Sequence, residues 1–376
     1  MVRYHRGWDE ILMTAIYSVL HMFVDGVCAF AMFGTFLKQE QGYFYVLVYN
    51  FCAFALQMPF GAVLDLMYAK SGKQFSFAAS CVGVVLTLVG AVTHPVMLGV
   101  GNALFHIGGG VGTIHEDERK GWRGRGLGVF VAPGALGLYL GMQLAKNGAE
   151  TQWLYGAGAF MIVACVGTAC VLWRRGENLV VSEYSKAADN SEGRRVQTEA
   201  AGVISLAFCL FLAVVLRSYI GMAVTFPWKT TTFAAILSTL AIVFGKAAGG
   251  FFAARFGGLK TAAICLPAAA VLYLFSGCMP AGAAALFLFN MTMPITLYLL
   301  ICKLPQYPGF SFGLLTFGLF LGFLPEYYVL RTLRDGGVLG CAGSLIMLLI
   351  LAAGVFMGNP DGAQTIISSQ SMQNRK

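Results

Sequence analysis

Apolar runs of about 20 residues, the length of helix that crosses the hydrocarbon of a bilayer, recur along nearly all of this 376-residue chain. Short polar connections separate them. The pattern predicts twelve transmembrane helices, over 11–36, 43–64, 75–93, 95–113, 126–145, 153–173, 202–226, 232–255, 261–279, 281–301, 310–330 and 337–357. Soluble domains carry about 25% charged residues, whereas this chain is 11% charged and 58% hydrophobic, with a mean hydropathy of +0.73. An all-α membrane protein is therefore expected. The first run is too long for a signal peptide and no Ala-x-Ala-like cleavage site ends it, so it is expected to remain as a span. Ten cysteines show no Cys-x-x-Cys pairing and almost all fall inside apolar segments, as buried free thiols do. Neither a metal site nor a cofactor is expected from them.

One long polar insertion, 174–201, falls between the sixth and seventh runs. It divides the chain into an N-terminal six-helix half (1–173), a linker, and a C-terminal six-helix half with a short tail (202–376). Of the 25 Lys and Arg residues, only Lys38, Lys146, Lys229, Arg331 and Arg334 fall on one side of the predicted membrane, and Arg217 and Lys246 fall within helices. The rest lie on the side of the termini and the linker. The bias of Lys and Arg toward the cytoplasm then places both termini and the linker in the cytoplasm, in a multi-pass inner-membrane protein. This asymmetry accounts for the net charge of +8 without a nucleic-acid partner, and basic stripes interleaved with exposed aromatics are absent.

Ionisable groups at the centre of a span cost at least ~2.5–3.5 kcal/mol each for Asp, Lys and Arg and normally face a bundle interior or a wet cavity. The first run carries His21 and Asp25, four residues apart and so on one helical face. The fourth carries Asn102 and His106, again sharing a face, within a glycine-rich stretch that lets neighbouring helices approach closely or slide. Arg217 sits in the seventh and needs an anion, water or carbonyls beside it, because arginine keeps its charge in proteins. Lys246 in the eighth lies roughly nine residues, about 14 Å of helix rise, from the cytoplasmic end of its span, too deep to reach the interface by snorkelling alone. The tenth adds Asn290 and Thr292 before Pro294, read as interhelical hydrogen bonds or a kink. One acid against two cations, with two imidazoles able to add protons, makes a cavity suited to an anionic solute. Asp25 can change protonation as the cavity opens, and histidine, which titrates near neutrality, can share that proton.

Other chemistries lack their residues. There is no His-Glu-x-x-His, Gly-x-Ser-x-Gly or Gly-x4-Gly-Lys-[Ser/Thr], so metalloprotease, hydrolase and nucleotide-driven pump readings fall away. The cluster His115-Glu-Asp-Glu118 beside Arg119 and Lys120 reads as a solvated charge run in a loop. Asn290-Met-Thr292 fits a glycosylation sequon but lies within a span.

Two six-helix halves, a polar linker and inward termini resemble the major facilitator superfamily. That family carries a Gly-x3-Asp-Arg-x-Gly-x-Arg/Lys signature after the second helix of each half. Here the second half has Gly250 through Arg255, Gly257 and Lys260, with Ala254 in place of the acid, and the first half has Gly61 and Asp65 followed by Leu66. Ala132-Pro133-Gly-Ala-Leu-Gly137 resembles the Gly-Pro-x-x-Gly element of the family's antiporters. His21-x3-Asp25 together with Gly99-x-Gly101-x3-Phe105-His106 resembles the fosmidomycin-resistance-like branch of drug exporters, although Ile107-Gly108 stands where that branch has Pro-Glu, removing a second carboxylate. The resemblance implies that the first, fourth, seventh and tenth helices line a central cavity. Lys246 alone of the polar residues above lies off those four. It also implies alternating access by rocking of the halves, with Gly61, Asp65, Gly250, Arg255, Gly257 and Lys260 clamping their cytoplasmic ends.

These residues predict a proton-coupled exporter of a small, anionic organic solute or drug, not an enzyme, acting as a monomer in the lipid bilayer. Asp25, His21 and His106 are expected to carry the proton, and Arg217, Asn102, Lys246 and Asn290 to bind the solute. The alternatives are an uptake symporter or uniporter, a polytopic membrane enzyme using His21, Asp25 and His106 around a metal, and a transporter-derived receptor that binds a partner through the 174–201 linker, although that linker has the composition of an ordinary flexible one.

Overall fold

The computed structural model describes residues 6–71, 75–174, 193–328 and 336–358. All regular structure among them is helical. The spans are α1 (Arg6–Gly34), α2 (Gly42–Lys70, with a π-helical turn over Phe51–Ala55), α3 (Ser76–Val92), α4 (Pro95–Lys120), α5 (Arg125–Lys146), α6 (Gln152–Arg174), α7 (Gly193–Ala223), α8 (Thr232–Phe256), α9 (Gly258–Leu274), α10 (Met279–Lys303), α11 (Pro308–Tyr328) and α12 (Gly336–Met357). Ten are long and apolar enough to cross a membrane, and the two 17-residue helices α3 and α9 are apolar but shorter. They occupy the predicted third and ninth places.

Local chemistry explains many of the boundaries. Proline at the first position of α4 loses no hydrogen bond there, and His94 before it accepts from the Val96 N–H as an N-cap. Gly121, at φ 64°, ends the same helix in the left-handed region that glycine tolerates. Pro133 interrupts α5 into Arg125–Val131 and Pro133–Lys146, since it cannot donate to the preceding turn. Two expectations change. Helix α4 runs to Lys120, so the acidic cluster is helical and is not a loop. Helix α7 begins at Gly193, within the stretch read as linker. Residues 175–192, together with Arg3, Lys73, Arg331, Arg334, Arg375 and Lys376 of the charge count, lie outside the described residues.

Within the first half α1 packs on α5 and α3 on α4; within the second α7 packs on α11 and α12, and α9 on α12. The halves meet along α2 with α11 and α5 with α8. Both contacts are backbone-close. A β-carbon on Gly61 would lie 2.1 Å from the Gly309 carbonyl oxygen, and one on Gly250 would lie 2.7 Å from that of Gly124. Only glycine permits such approach.

Each end of the α2–α11 contact is tied. At one end the buried Asp65 carboxylate accepts from the N–H groups of Gly309 and Phe310 at 2.9 and 2.8 Å, capping the otherwise unpaired start of α11. At the other, Tyr43 and Tyr327 stack with ring centroids 4.3 Å apart. Each donates its hydroxyl to the other's backbone carbonyl, Tyr327 to Tyr43 at 3.1 Å. The signature in the second half works differently. Gly250 makes its contact, Gly257 turns the chain at φ 92°, and Arg255 is exposed with its guanidinium over the Phe256 ring, while Lys260 is exposed. The start of α5 is instead capped by Asp117, 5% exposed, which accepts from Gly126 and Leu127 at 2.7 and 3.1 Å. Asp117 is thus a buried cap where the sequence reading had a solvated charge.

Candidate functional site

Between these ties the polar faces of α1 and α4 converge. His21 Nε2 lies 2.8 Å from His106 Nε2 and 3.1 Å from Asp25 Oδ2, and His106 Nε2 lies 3.6 Å from Asp25 Oδ1. Asn102 donates to Asp25 Oδ1 at 3.1 Å and its amide also reaches the Cys28 thiol at 3.5 Å, which in turn bonds with Tyr49. His21 is 5% exposed, Asn102 2% and His106 8%. Phe105 and Phe130, both fully buried, wall the histidines.

Each imidazole is oriented by a backbone carbonyl. The break in α5 leaves carbonyls of the Arg125–Val131 turn without helical partners, and that of Phe130 is met by His21 Nδ1 at 2.7 Å. His106 Nδ1 meets the Asn102 carbonyl of its own helix at 2.8 Å. A carbonyl only accepts, so both Nδ1 atoms carry hydrogen, and in the neutral rings both Nε2 atoms are bare lone pairs. Two such lone pairs and a carboxylate then point at one another. Among these three groups there is no donor unless a proton or another cation joins them.

The wall opposite is backbone. A β-carbon at Gly134, just past Pro133, would lie 2.3 Å from His21 Nε2 and 2.5 Å from Asp25 Oδ2. Glycine there is what lets α5 close on the cluster.

The second half supplies the positive charge. Lys246 interacts electrostatically with Arg217, Asp25 and His106. Arg217 is 9% exposed, and its Nε has no hydrogen-bond partner among the described residues. Lys246, on a helix that the resemblance leaves off the cavity, is thus within electrostatic range of the cluster from the other half. Asn290 does the reverse: its amide donates to Leu286 of its own helix at 2.9 Å, and Thr292 bonds to Phe289 at 2.7 Å, at the interruption of α10 at Met291. These are kink bonds. Sequence reasoning missed Tyr49 and the Tyr43–Tyr327 pair, gave Gly134 no role of its own, and read Asp117 as solvated.

No family model and no curated protein sequence matches the chain. Solved structures do. A variant of the E. coli fucose:proton symporter FucP aligns over 92% of this chain and 98% of its own at 13% identity and a TM-score of 0.54. The human organic anion transporter MFSD10 (TETRAN) aligns over 92% and 99% at 13% identity and 0.55. A bacterial homologue of the iron transporter ferroportin, in an outward-facing state, aligns over 92% and 99% at 15% identity and 0.52. Near-complete coverage of both partners shows that the chain has the major facilitator fold, an all-helical, multi-pass membrane architecture.

Proposed function

We propose that this chain is a secondary active transporter that exchanges protons for a small, anionic organic solute and exports it across the cytoplasmic membrane by alternating access. The observation that carries the reading is the convergence of two bare imidazole nitrogens and a carboxylate with no donor among the three, within electrostatic range of Lys246 on the facing half, which is in turn within range of the buried Arg217. A proton supplies the missing donor. Asp25 holds it, with His21 and His106 sharing it, and Asn102 fixes the carboxylate. Arg217 and Lys246 bind the solute anion, so the solute and the proton site share one electrostatic field. Rocking of the halves then opens the Asp65 tie or the tyrosine tie in turn.

The fold hosts many functions, so it carries no substrate by itself. Structures sharing it include a fucose:proton symporter and an organic anion transporter, which supports proton coupling and anionic cargo as chemistries this architecture accommodates. Outward direction rests on the resemblance to the fosmidomycin-resistance-like exporters, and cytoplasmic termini on the charge asymmetry. Transport by a monomer is proposed, since one chain supplies every group named.

Purified protein in vesicles, given a panel of labelled organic anions, is expected to move one of them in response to an imposed pH gradient, with the direction read by inverting the gradient. Asp25→Asn is expected to abolish the response. Unchanged pH dependence in that variant would overturn the proton assignment.

A further inference from the structure

The cluster of His21, Asp25 and His106 has the features of a metal centre as well as of a proton site. We infer that His21 Nε2, His106 Nε2 and the Asp25 carboxylate form a binding site for a divalent transition-metal ion of the Fe2+ to Zn2+ kind. The inference shares its residues with the proposed proton coupling but stands on coordination geometry alone. All three ligand atoms lie within 4.8 Å of one another. Metal–nitrogen and metal–carboxylate bonds of about 2.0–2.2 Å fit an ion among them with small side-chain movements.

The surroundings are those of a prepared ligand set. Metal-binding histidines characteristically donate their other ring N–H to a carbonyl or carboxylate, which fixes the tautomer and aims the lone pair at the ion. Both rings do so here, to Phe130 and Asn102. The carboxylate is held in turn by the Asn102 amide. Two imidazoles with one carboxylate select borderline transition ions, whereas Mg2+ and Ca2+ take oxygen ligands. Three protein ligands leave a coordination position for water or for a group of the solute. Because the ligands come from α1 and α4, 85 positions apart, no local spacing announces the site.

The test is a titration of the purified full-length protein, freed of any affinity tag, with Co2+ followed by its visible d–d absorption. Saturation near about one ion per chain, competed by Zn2+ but not by Mg2+, is the expected result. His21→Gln and His106→Gln are each expected to weaken binding by at least about 100-fold, and Asn102→Ala by about 10-fold. The wild-type spectrum itself separates a four- or five-coordinate protein site from hydrated Co2+, so the reading does not hang on a variant that misfolds. A wild-type protein with no saturable Co2+ spectrum, or binding unchanged in both histidine variants, overturns the inference. Flux driven by a pH gradient in the same preparation separates the two claims. Flux without Co2+ binding removes the metal site and leaves proton coupling; Co2+ binding without flux does the opposite.

Discussion

In the first six helices the polar side chains of the site are each held in place by a named partner, while in the last six the Arg217 Nε has none among the described residues. His21, Asp25, Asn102 and His106 form a connected set in which every ring Nδ1 and the amide have named partners. Lys246 is within electrostatic range of that set from the other half and of Arg217, whose Nε has no hydrogen-bond partner among the described residues. A buried polar atom left unmet costs about 1–3 kcal/mol, more when charged, so a partner for the Arg217 Nε would lower that cost. On the function proposed above, this difference is a division of labour, with the first half holding the coupling cation and the second holding the solute.

Substitutions can break this comparison, starting with the largest effect. Gly134→Val places a side chain into the contact between α5 and the cluster, and is expected to bring pH-driven flux down to background. Overpacking should also lower stability by about 1–3 kcal/mol, readable as a fall in detergent melting temperature. Gly221 on α7, where an added β-carbon meets nothing within 4 Å, is the control, and Gly221→Ala should leave both unchanged. Next, Arg217→Ala is expected to raise the KM for the solute by about 10- to 100-fold, the worth of a charge-assisted bond of about 1.5–3 kcal/mol, while flux at saturation keeps its response to pH. If pH dependence disappears with the anion affinity, the halves do not divide their roles.

The two helix caps offer a finer contrast. Losing a cap of this kind costs about 0.5–2 kcal/mol. Asp65→Ala removes one that joins the halves, and should raise labelling of a cysteine placed in the cavity from the α11 N-terminal side. Asp117→Ala removes one internal to the first half and should lower the melting temperature without changing that labelling. The smallest effect is expected for Asn290→Ala. Its amide bonds only along its own helix, so stability should move by about 0.5 kcal/mol or less and solute KM should hold. A raised KM would return Asn290 to the binding site.

Much of this organisation was legible in the chain. The spans were readable because length and apolarity alone specify a bilayer crossing. His21 with Asp25, and Asn102 with His106, were readable because i to i+4 spacing puts each pair on one face whatever the tertiary structure. That the two faces meet was supplied by resemblance, not by spacing. Lys246 was expected to bind solute although its helix lies off the four that the resemblance assigns to the cavity, and its facing could not be read because that of α8 depends on packing against α5 and α10, which no local rule reports. Asp117 was misread for a related reason: among His115, Glu116, Glu118 and Arg119 it looks solvated, and only the return of the chain at Gly124 puts the start of α5 over its carboxylate. Gly134 is one of 47 glycines, and although it stands in the Ala132–Gly137 element singled out above, that element does not say that His21 and Asp25 rest against it.

The pairing of Tyr43 with Tyr327 has a consequence for leakage. Two reciprocal hydrogen bonds and a stacked ring contact run between the same two residues, so parting the helices there disrupts all of them together. Separation at that end is then abrupt, with little room for a half-parted crevice through which ions could trickle. A seal of this kind would conserve the gradient while the carrier idles, and replacing either ring by alanine should show first as passive proton seepage in vesicles containing no solute.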